Sequence, residues 1–207
     1  MNRAHVDELA RIELDDGFVW RPVRRRFGIR AFGVNVYTPG QTGRVIEEHT
    51  ESTFEHEELY VVLRGRVRFT VGDDEHELAQ GQAVFIRDPA LRRGAIAVDD
   101  DAVVLALGGR PGAPHEVSAW EAMFAAVPAM REGDWDEAIR LHGEALAEHP
   151  GDPRLLYNLA CMEARAGHRV DALLHLQQAV ALDVRWGEYA AADSDFASIR
   201  DEPGFPS

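Results

Sequence analysis

The sequence has a single cysteine, Cys161, among its 207 residues. One thiol excludes an internal disulfide and any metal site built from several thiolates. Long apolar runs are also missing, because every run falls far short of the ~20 residues that a membrane span needs. No apolar segment with a cleavage site follows the N-terminal residues, so no secretory signal is expected. These absences predict a cytoplasmic protein, and the 45% hydrophobic content predicts a globular core.

Positive charge is scarce, with 22 basic and 36 acidic residues and a formal net charge of −14. An acidic chain repels phosphate backbones, so nucleic acid is not an expected partner. One local exception is a cluster of arginines between residues 21 and 30. We interpret it as a solvated strand edge that charge protects from pairing with other chains; the alternative is anion binding. The cluster consists of Arg21, Arg24, Arg25, Arg26 and Arg30.

Three common catalytic motifs are absent from the sequence. There is no His-Glu-x-x-His, no Gly-x-x-x-x-Gly-Lys and no Gly-x-Ser-x-Gly. The usual signals for a helical zinc site, a phosphate-cradling loop and a hydrolase nucleophile are therefore missing.

Residues 17–107 are organised as short alternating runs separated by turn residues. One run alternates at Val67, Phe69 and Val71, and the turn signal Gly-Asp-Asp at 72–74 follows it. Another run alternates over residues 26–31, and residues 103–107 read as a buried strand. Many short strands at this spacing predict an all-β barrel or sandwich.

A segment dense in glycine and proline, 108–114, reads as a linker, and the chain beyond it is alanine-rich and helical in pattern. The predicted domains are a β domain over 1–114, with its core at 18–107, and a helical domain over 115–207. The tail should cap the helical domain, with Phe196 and Ile199 covering the last helix pair. Predicted helices lie near 119–132, 135–148, 153–166, 170–182 and 187–192.

The helical half contains an internal repeat. The stretch that begins at Gly133 and reaches Ala138 recurs from Gly167 to Ala172, and Ala145 recurs as Ala179. This pattern resembles tetratricopeptide repeats, whose period is 34 residues. The resemblance implies helical hairpins that hold a protein or peptide partner in a groove, which with two repeats would be small.

The β half contains a motif frame, which consists of four residues at fixed spacings in the stretch 43–65. Gly43 is followed after five residues by His49, and Glu58 is followed after six residues by Gly65. This frame resembles the first motif of the cupins, small β-barrels that often hold a metal ion in the barrel mouth. The resemblance implies a cupin-like barrel and, by analogy, a homodimer.

The metal-binding positions of that resemblance are altered. His49 keeps the first histidine position and Glu51 takes the second. In a second motif that begins at Gly81, Arg92 falls on the last histidine. Arginine has no lone pair to donate and stays protonated, so it cannot bind a divalent ion. We therefore expect a metal-free cluster of carboxylates around a guanidinium, with no cofactor. The expected pocket for a small anionic ligand consists of His49, Glu51, Glu58, Tyr60 and Arg92.

An alternative interpretation uses His56. His56 and Glu58 are two residues apart on a predicted strand and share a face, as do His49 and Glu51. A hairpin would bring residue 49 near 58 and residue 51 near 56. The metal ligands would then be His49, His56 and Glu58, a set that suits Fe(II) and accepts Mn(II) or Zn(II).

Two functions follow from these interpretations. The first is a non-catalytic barrel, ligand-binding or structural, joined to helices that bind a protein. The second is a mononuclear metal enzyme acting as a dioxygenase, isomerase or lyase. The altered ligand positions favour the first and so argue against an enzyme.

Overall fold

The computed structural model describes residues 3–15, 17–116 and 118–206. Contacts between residues divide the chain into two compact units, which meet after residue 117. The boundary expected from composition, after residue 114, lies just before this division. Among the described residues, no helix is long and apolar enough to cross a membrane.

In the described part of the first unit there are ten strands, a 3-10 helix at Val6–Glu8 and one short α-helix, α1 (Val23–Phe27). Six strands form one antiparallel sheet in the order β1-β2-β3-β10-β5-β8, and four form a second in the order β4-β9-β6-β7. The strands are β1 Ile12–Glu13, β2 Phe18–Arg21, β3 Gly33–Pro39, β4 Arg44–His49, β5 Glu57–Arg64, β6 Arg66–Val71, β7 Asp74–Ala79, β8 Ala83–Ile86, β9 Arg93–Ala97 and β10 Val103–Gly109.

The two sheets enclose one apolar core, as the alternating pattern predicted. Tyr60 of β5 packs against Phe69 of β6, with ring centroids 4.9 Å apart. Val62 and Val104 from the first sheet join Val67 from the second in the same buried cluster. The predicted β-barrel architecture is confirmed, and the core fills it below one open end.

The sequence predicted the β6–β7 hairpin correctly but not the segment before β3. Strands β6 and β7 pair from Val71 opposite Asp74 outward, so the 72–74 turn signal is confirmed. Residues 26–31, whose alternation suggested a strand, instead form the end of α1 and a loop. The helix ends at Gly28, whose φ of 64° is the left-handed conformation that glycine adopts at low cost. The strand prediction was wrong because this segment has no continuous face that packs against the core.

The described residues of the second unit, 118–206, form five α-helices and one 3-10 helix, Ser194–Phe196. The α-helices are α2 Ala119–Glu132, α3 Trp135–Glu148, α4 Pro153–Ala166, α5 Arg169–Leu182 and α6 Arg185–Ala192. The pair that begins at residues 119 and 135 recurs at 153 and 169, so both helices repeat after 34 residues. The predicted helices are confirmed, with the last two beginning one and two residues earlier than expected.

The repeated residues have a structural explanation. Gly133 and Gly167 end α2 and α4 in the left-handed conformation, with φ of 76° and 84°. Ala138 and Ala172, in the first turn of the following helices, are fully buried. A glycine therefore reverses the chain, and a small residue then lets the two helices approach closely.

The C-terminal tail closes the end of the second repeat, as predicted. Phe196 and Ile199 are both 0% exposed and pack in one cluster with Leu176 of α5. Arg165 of α4 contacts Asp195 at 3.1 Å, and Arg169 contacts Glu202 at 2.8 Å. The tail thus covers apolar surface that a further repeat would otherwise bury.

His142 of α3 should make the stability of the helical unit depend on pH. Burial lowers the pKa of His142 to about 4, with the Ala138 carbonyl opposing this weakly. Since the unfolded chain takes up the proton near pH 6.5, the folded state loses stability as the pH falls below that value. We expect a loss of about 1.4 kcal/mol per pH unit between pH 6.5 and 4. Urea unfolding followed by helical circular dichroism measures it.

A matched pair of variants isolates this contribution. His142→Leu should remove this component of the pH slope, whereas His168→Gln, at an exposed position, should leave the slope as it is. Equal slopes in the wild type and His142→Leu would contradict the assignment.

Candidate functional site

The open end of the barrel brings together side chains from both sheets. His49 ends β4, and Arg93, its partner in the register, begins β9. From the other sheet, Glu58 of β5 lies opposite Gly108 of β10, which in turn lies opposite Gly33 of β3. Because both of these residues are glycines, β10 and β3 contribute no side chain at this level of the barrel. His49, Glu58 and Arg93 therefore form the polar lining of the mouth.

The imidazole of His49 is oriented by the backbone. Its Nδ1 lies 2.8 Å from the Glu47 carbonyl oxygen, which can only accept, so Nδ1 carries a proton. Nε2 then faces the carboxylates, at 3.5 Å from Glu51 and 3.8 Å from Glu58. Burial by itself lowers the pKa of His49, but Glu58, the Glu47 carbonyl and the Glu51 charge together raise it. The two carboxylates therefore favour the protonated form of His49.

Glu51 connects two histidines. Its Oε1 faces His49, and its Oε2 lies 3.1 Å from Nδ1 of His56. A tight turn carries the chain between them: the Phe54 and Glu55 amides donate to the Glu51 carbonyl, and Glu55 has a φ of 56°. The ring of Phe54 stacks on His56 with centroids 5.6 Å apart. This turn fixes both ends of the Glu51–His56 contact.

Glu58 is the most heavily engaged carboxylate of the group. Its Oε2 accepts a hydrogen bond of 2.7 Å from the Tyr60 hydroxyl and lies 3.4 Å from Nε of Arg93. Burial and the Glu58 charge raise the pKa of Tyr60 well above its usual value, so the hydroxyl remains a donor. The same oxygen is the one that faces His49.

The buried guanidinium at the mouth belongs to Arg93 and not to Arg92. Arg93 is 0% exposed, and it also donates to the backbone carbonyls of Asp88 and Pro89. Arg92 points outward, where its side chain is 67% exposed and pairs with Glu48 at 2.8 Å. The prediction that Arg92 lies in the pocket is therefore wrong, because the next residue, Arg93, occupies that place. Adjacent strand residues face opposite sides, so a shift of one reverses the side chain.

The predicted proximity of 49 to 58 and of 51 to 56 is present, but a hairpin does not produce it. Strands β4 and β5 lie in different sheets, and the connecting turn crosses the mouth. The three donor atoms within 4.8 Å of one another belong to His49, Glu51 and Glu58. In this geometry Glu51 replaces His56, which lies behind it, so the expected set of His49, His56 and Glu58 does not converge.

Two further polar residues lie at this end of the barrel, and no sequence pattern predicted them. Asn35 is 5% exposed and occupies the same row as Ala106 and Tyr60 on the inner face. His115 covers Gly33, where an added Cβ would lie 3.1 Å from its ring, and its centroid is 6.3 Å from that of His56. Neither residue belongs to a sequence motif. The register of the strands brings Asn35 to this end of the barrel, and the course of the chain after β10 brings His115 there.

Comparison with known families decides the architecture. Residues 36–108 match the model of the cupin domain, and residues 129–194 match that of the tetratricopeptide repeat. The chain carries a cupin domain followed by tetratricopeptide-like helical repeats. A search of curated proteins gives no match.

Solved structures resemble the cupin domain only distantly. KdgF from Halomonas sp. is 16% identical, with 53% of this chain and 90% of that chain covered and a TM-score of 0.41. A sugar phosphate isomerase of the cupin superfamily from Silicibacter pomeroyi is 19% identical, with coverages of 53% and 76% and a TM-score of 0.40. An RmlC-like cupin from Shewanella frigidimarina is 10% identical, with coverages of 53% and 91% and a TM-score of 0.40.

A metal ion is a common occupant of the mouth in cupins, so the residues of this cupin domain were tested for fit. The three donor atoms are close enough together for one ion. However, an ion would have to compete with a proton for Nε2 of His49, since the two carboxylates raise the pKa of that imidazole. It would also compete for the Glu58 oxygen with the Tyr60 hydroxyl and the Arg93 guanidinium, whose charge repels it. The donor set meets the distances, but the buried guanidinium beside Glu58 opposes a divalent ion, and the fit is poor.

The repeats contain a second convergent group, Cys161, Asp193 and Asp195, which has a structural explanation. Asp193 accepts from the Tyr157 hydroxyl at 2.8 Å. It also accepts from the Asp195 amide at 3.0 Å, which caps the start of a short 3-10 helix at Ser194–Phe196. Burial raises the pKa of the Cys161 thiol, so it stays protonated and is a poor ligand. Asp193 thus joins the tail to α4.

Proposed function

We propose that the cupin domain is a metal-free module that binds a small polar ligand without transforming it, and that the helical repeats bind a protein partner. The observation that carries the first half is Arg93. The Arg93 guanidinium is permanently charged, fully buried at the mouth and paired with Glu58. It lies on the strand that supplies a metal ligand in the cupin pattern. This guanidinium provides the charge compensation that an ion would otherwise supply.

The reachable groups at the mouth favour ligands that donate hydrogen bonds. Glu51 and His56 have side chains that are 14% and 15% exposed, and that of His49 is 31% exposed. Arg93 is sealed and Arg92 faces elsewhere, so neither offers an anion a partner inside the mouth. Hydroxyl or amine groups match carboxylate oxygens. We therefore replace the anionic ligand expected from the sequence with a hydroxyl- or amine-bearing one.

The repeat half supports a role in protein interaction. Tetratricopeptide-like hairpins are present, and their last apolar surface is covered by the tail. Stacked helical hairpins present extended surfaces suited to peptides. Cupin domains often pair, so a homodimer also belongs to the proposal; sedimentation of the whole chain tests it.

A second candidate function is a mononuclear metal enzyme. One observation favours it, namely the convergence of His49, Glu51 and Glu58 within 4.8 Å. Those residues would hold the ion, which would act as a Lewis acid on a bound substrate.

Metal loading separates the two functions. Protein purified without chelator is incubated with Mn(II), Fe(II) or Zn(II), desalted and analysed for metal, and its melting temperature is recorded. We expect a metal-to-chain ratio near zero and an unchanged melting temperature, because ions that bind the folded state would raise it. The matched variant is Arg93→His, which exchanges the buried cation for an imidazole and should bind metal more strongly.

Stoichiometric metal in the wild type, lost in Glu51→Gln, would overturn the metal-free proposal and support the enzyme. Equal, negligible uptake by the wild type and a folded Arg93→His would show that Arg93 is not what excludes the ion.

A further inference from the structure

The segment between β2 and β3 carries four large exposed side chains within eight residues. Arg25, Arg26 and Arg30 are exposed, and Phe32, just before β3, is 44% exposed. These four residues are called the arginine patch below. The patch combines concentrated positive charge with an exposed aromatic ring, in a chain whose formal net charge is −14.

The charges of the patch are uncompensated. Elsewhere most arginines lie within 4.0 Å of a carboxylate, as Arg66 does with Glu77 and Asp99. Within the described part of the chain, none of the ion pairs involves an arginine of the patch. In a chain with 36 acidic side chains, three neighbouring cations without an acidic partner are available for an external anion.

The loop that carries the patch is held by internal contacts. Arg24 is only 9% exposed, and its guanidinium donates to the Ile29 carbonyl at 3.2 Å. The Ile29 amide donates back to the Arg24 carbonyl at 3.0 Å, around the left-handed Gly28. A buried arginine thus fixes the backbone from which the exposed ones extend. Binding by a fixed loop avoids the entropy cost of ordering it.

We infer that the arginine patch is a docking surface for an acidic protein segment that also carries an apolar side chain. The guanidiniums would pair with its carboxylates in the fork geometry that arginine favours. Phe32 would cover its apolar side chain and bury apolar surface against it. The inference is independent of what the barrel mouth binds, because no residue of the patch lines the mouth.

Charge and size favour a protein segment over nucleic acid. Proteins that bind duplex DNA through its backbone typically neutralise about 6–10 phosphates. The patch supplies three exposed arginines, and the acidic remainder of the chain repels a long polyanion. A short acidic segment needs only a few pairs and can extend away from the acidic surface.

Fluorescence anisotropy on the full chain at low salt tests the inference. The probe is a labelled peptide of glutamates around one leucine, with a glutamine version and a short DNA duplex as comparisons. The wild type should bind the glutamate peptide and not the other two. The triple variant R25E/R26E/R30E should weaken that binding by about 10-fold or more, since charge reversal replaces attraction by repulsion. F32S should weaken it by about 3-fold, and F32L should restore it.

The matched control R68E/R140E/R185E makes the same change in net charge at exposed arginines that already have carboxylate partners. It should change the affinity by less than about 2-fold, because none of these arginines belongs to the patch and exposed pairs contribute little to stability. No binding of the glutamate peptide by the wild type, equal weakening in both triple variants, or tighter binding of the DNA duplex would each overturn the inference.

Discussion

Replacing Arg93 with alanine is expected to lower the free energy of unfolding of the cupin domain by about 3–5 kcal/mol. The guanidinium is fully buried, lies 3.4 Å from Glu58 and donates to the carbonyls of Asp88 and Pro89. Its removal leaves the Glu58 charge at the barrel mouth without its cationic partner and opens a cavity. Each of the two carbonyls loses one of its two donors, since Asp88 keeps the Leu91 amide and Pro89 keeps the Glu51 amide. Native-state hydrogen exchange of the strand amides measures the change in this unit alone, which tryptophan fluorescence would not, because three of the four tryptophans lie in the helices.

The neighbouring arginine provides the control. Arg92 is 67% exposed and pairs with the equally exposed Glu48, so Arg92→Ala should change stability by less than about 1 kcal/mol. A double variant that also replaces Glu58 by glutamine should recover part of the loss of Arg93→Ala, because no unpaired charge then remains. Equal stability losses in Arg92→Ala and Arg93→Ala would contradict the assignment of the buried cation to Arg93.

Replacing Phe196 with alanine is expected to lower the free energy of unfolding of the helical repeats by about 3–5 kcal/mol. Its ring is 0% exposed and lies against Tyr157 and Phe205, with centroids 5.4 Å and 6.0 Å away. The substitution removes the part of the tail that closes the second repeat. Thermal unfolding followed by circular dichroism at the helical wavelength reports on this unit, because the strands contribute little signal there.

The comparison variant is Tyr189→Ala, which truncates an aromatic side chain of α6 that is 58% exposed. It should cost less than about 1 kcal/mol, since little surface returns to water. If the two variants unfold alike, the tail does not act as a cap, and the repeats rely on some other contact.

Local signals were sufficient for most of the architecture. The glycine and alanine positions of the 34-residue repeat predicted the helices, because a left-handed glycine and a small crossing residue are requirements of each hairpin by itself. The hairpin turn at residues 72–74 was likewise readable from adjacent residues. The alternation over residues 26–31 predicted a strand wrongly, because it too is only a local pattern. A local pattern carries no information on whether a strand partner is present, and there Gly28 ended a short helix.

The candidate site depended on longer-range information. The sequence identified His49, Glu51 and Glu58 because the glycines that frame the cupin motif fix their spacing. It could not show that Arg93 rather than Arg92 points inward, since residues 95–98 are all apolar and give no alternation to set the facing. Asn35 reaches this end of the barrel only through the pairing of β3, β10 and β5.

The sequence by itself thus determined two domains, a cupin domain and a repeat domain, and a mouth whose metal ligands are replaced. The reason is that turns, periodicity and capping act over a few residues. Only the tertiary structure decided which arginine occupies the mouth and that Glu51 separates His56 from His49. Those outcomes depend on the register of β9 against β4 and on a turn that crosses between two sheets. A register is a property of the paired strands together, and neither strand specifies it alone.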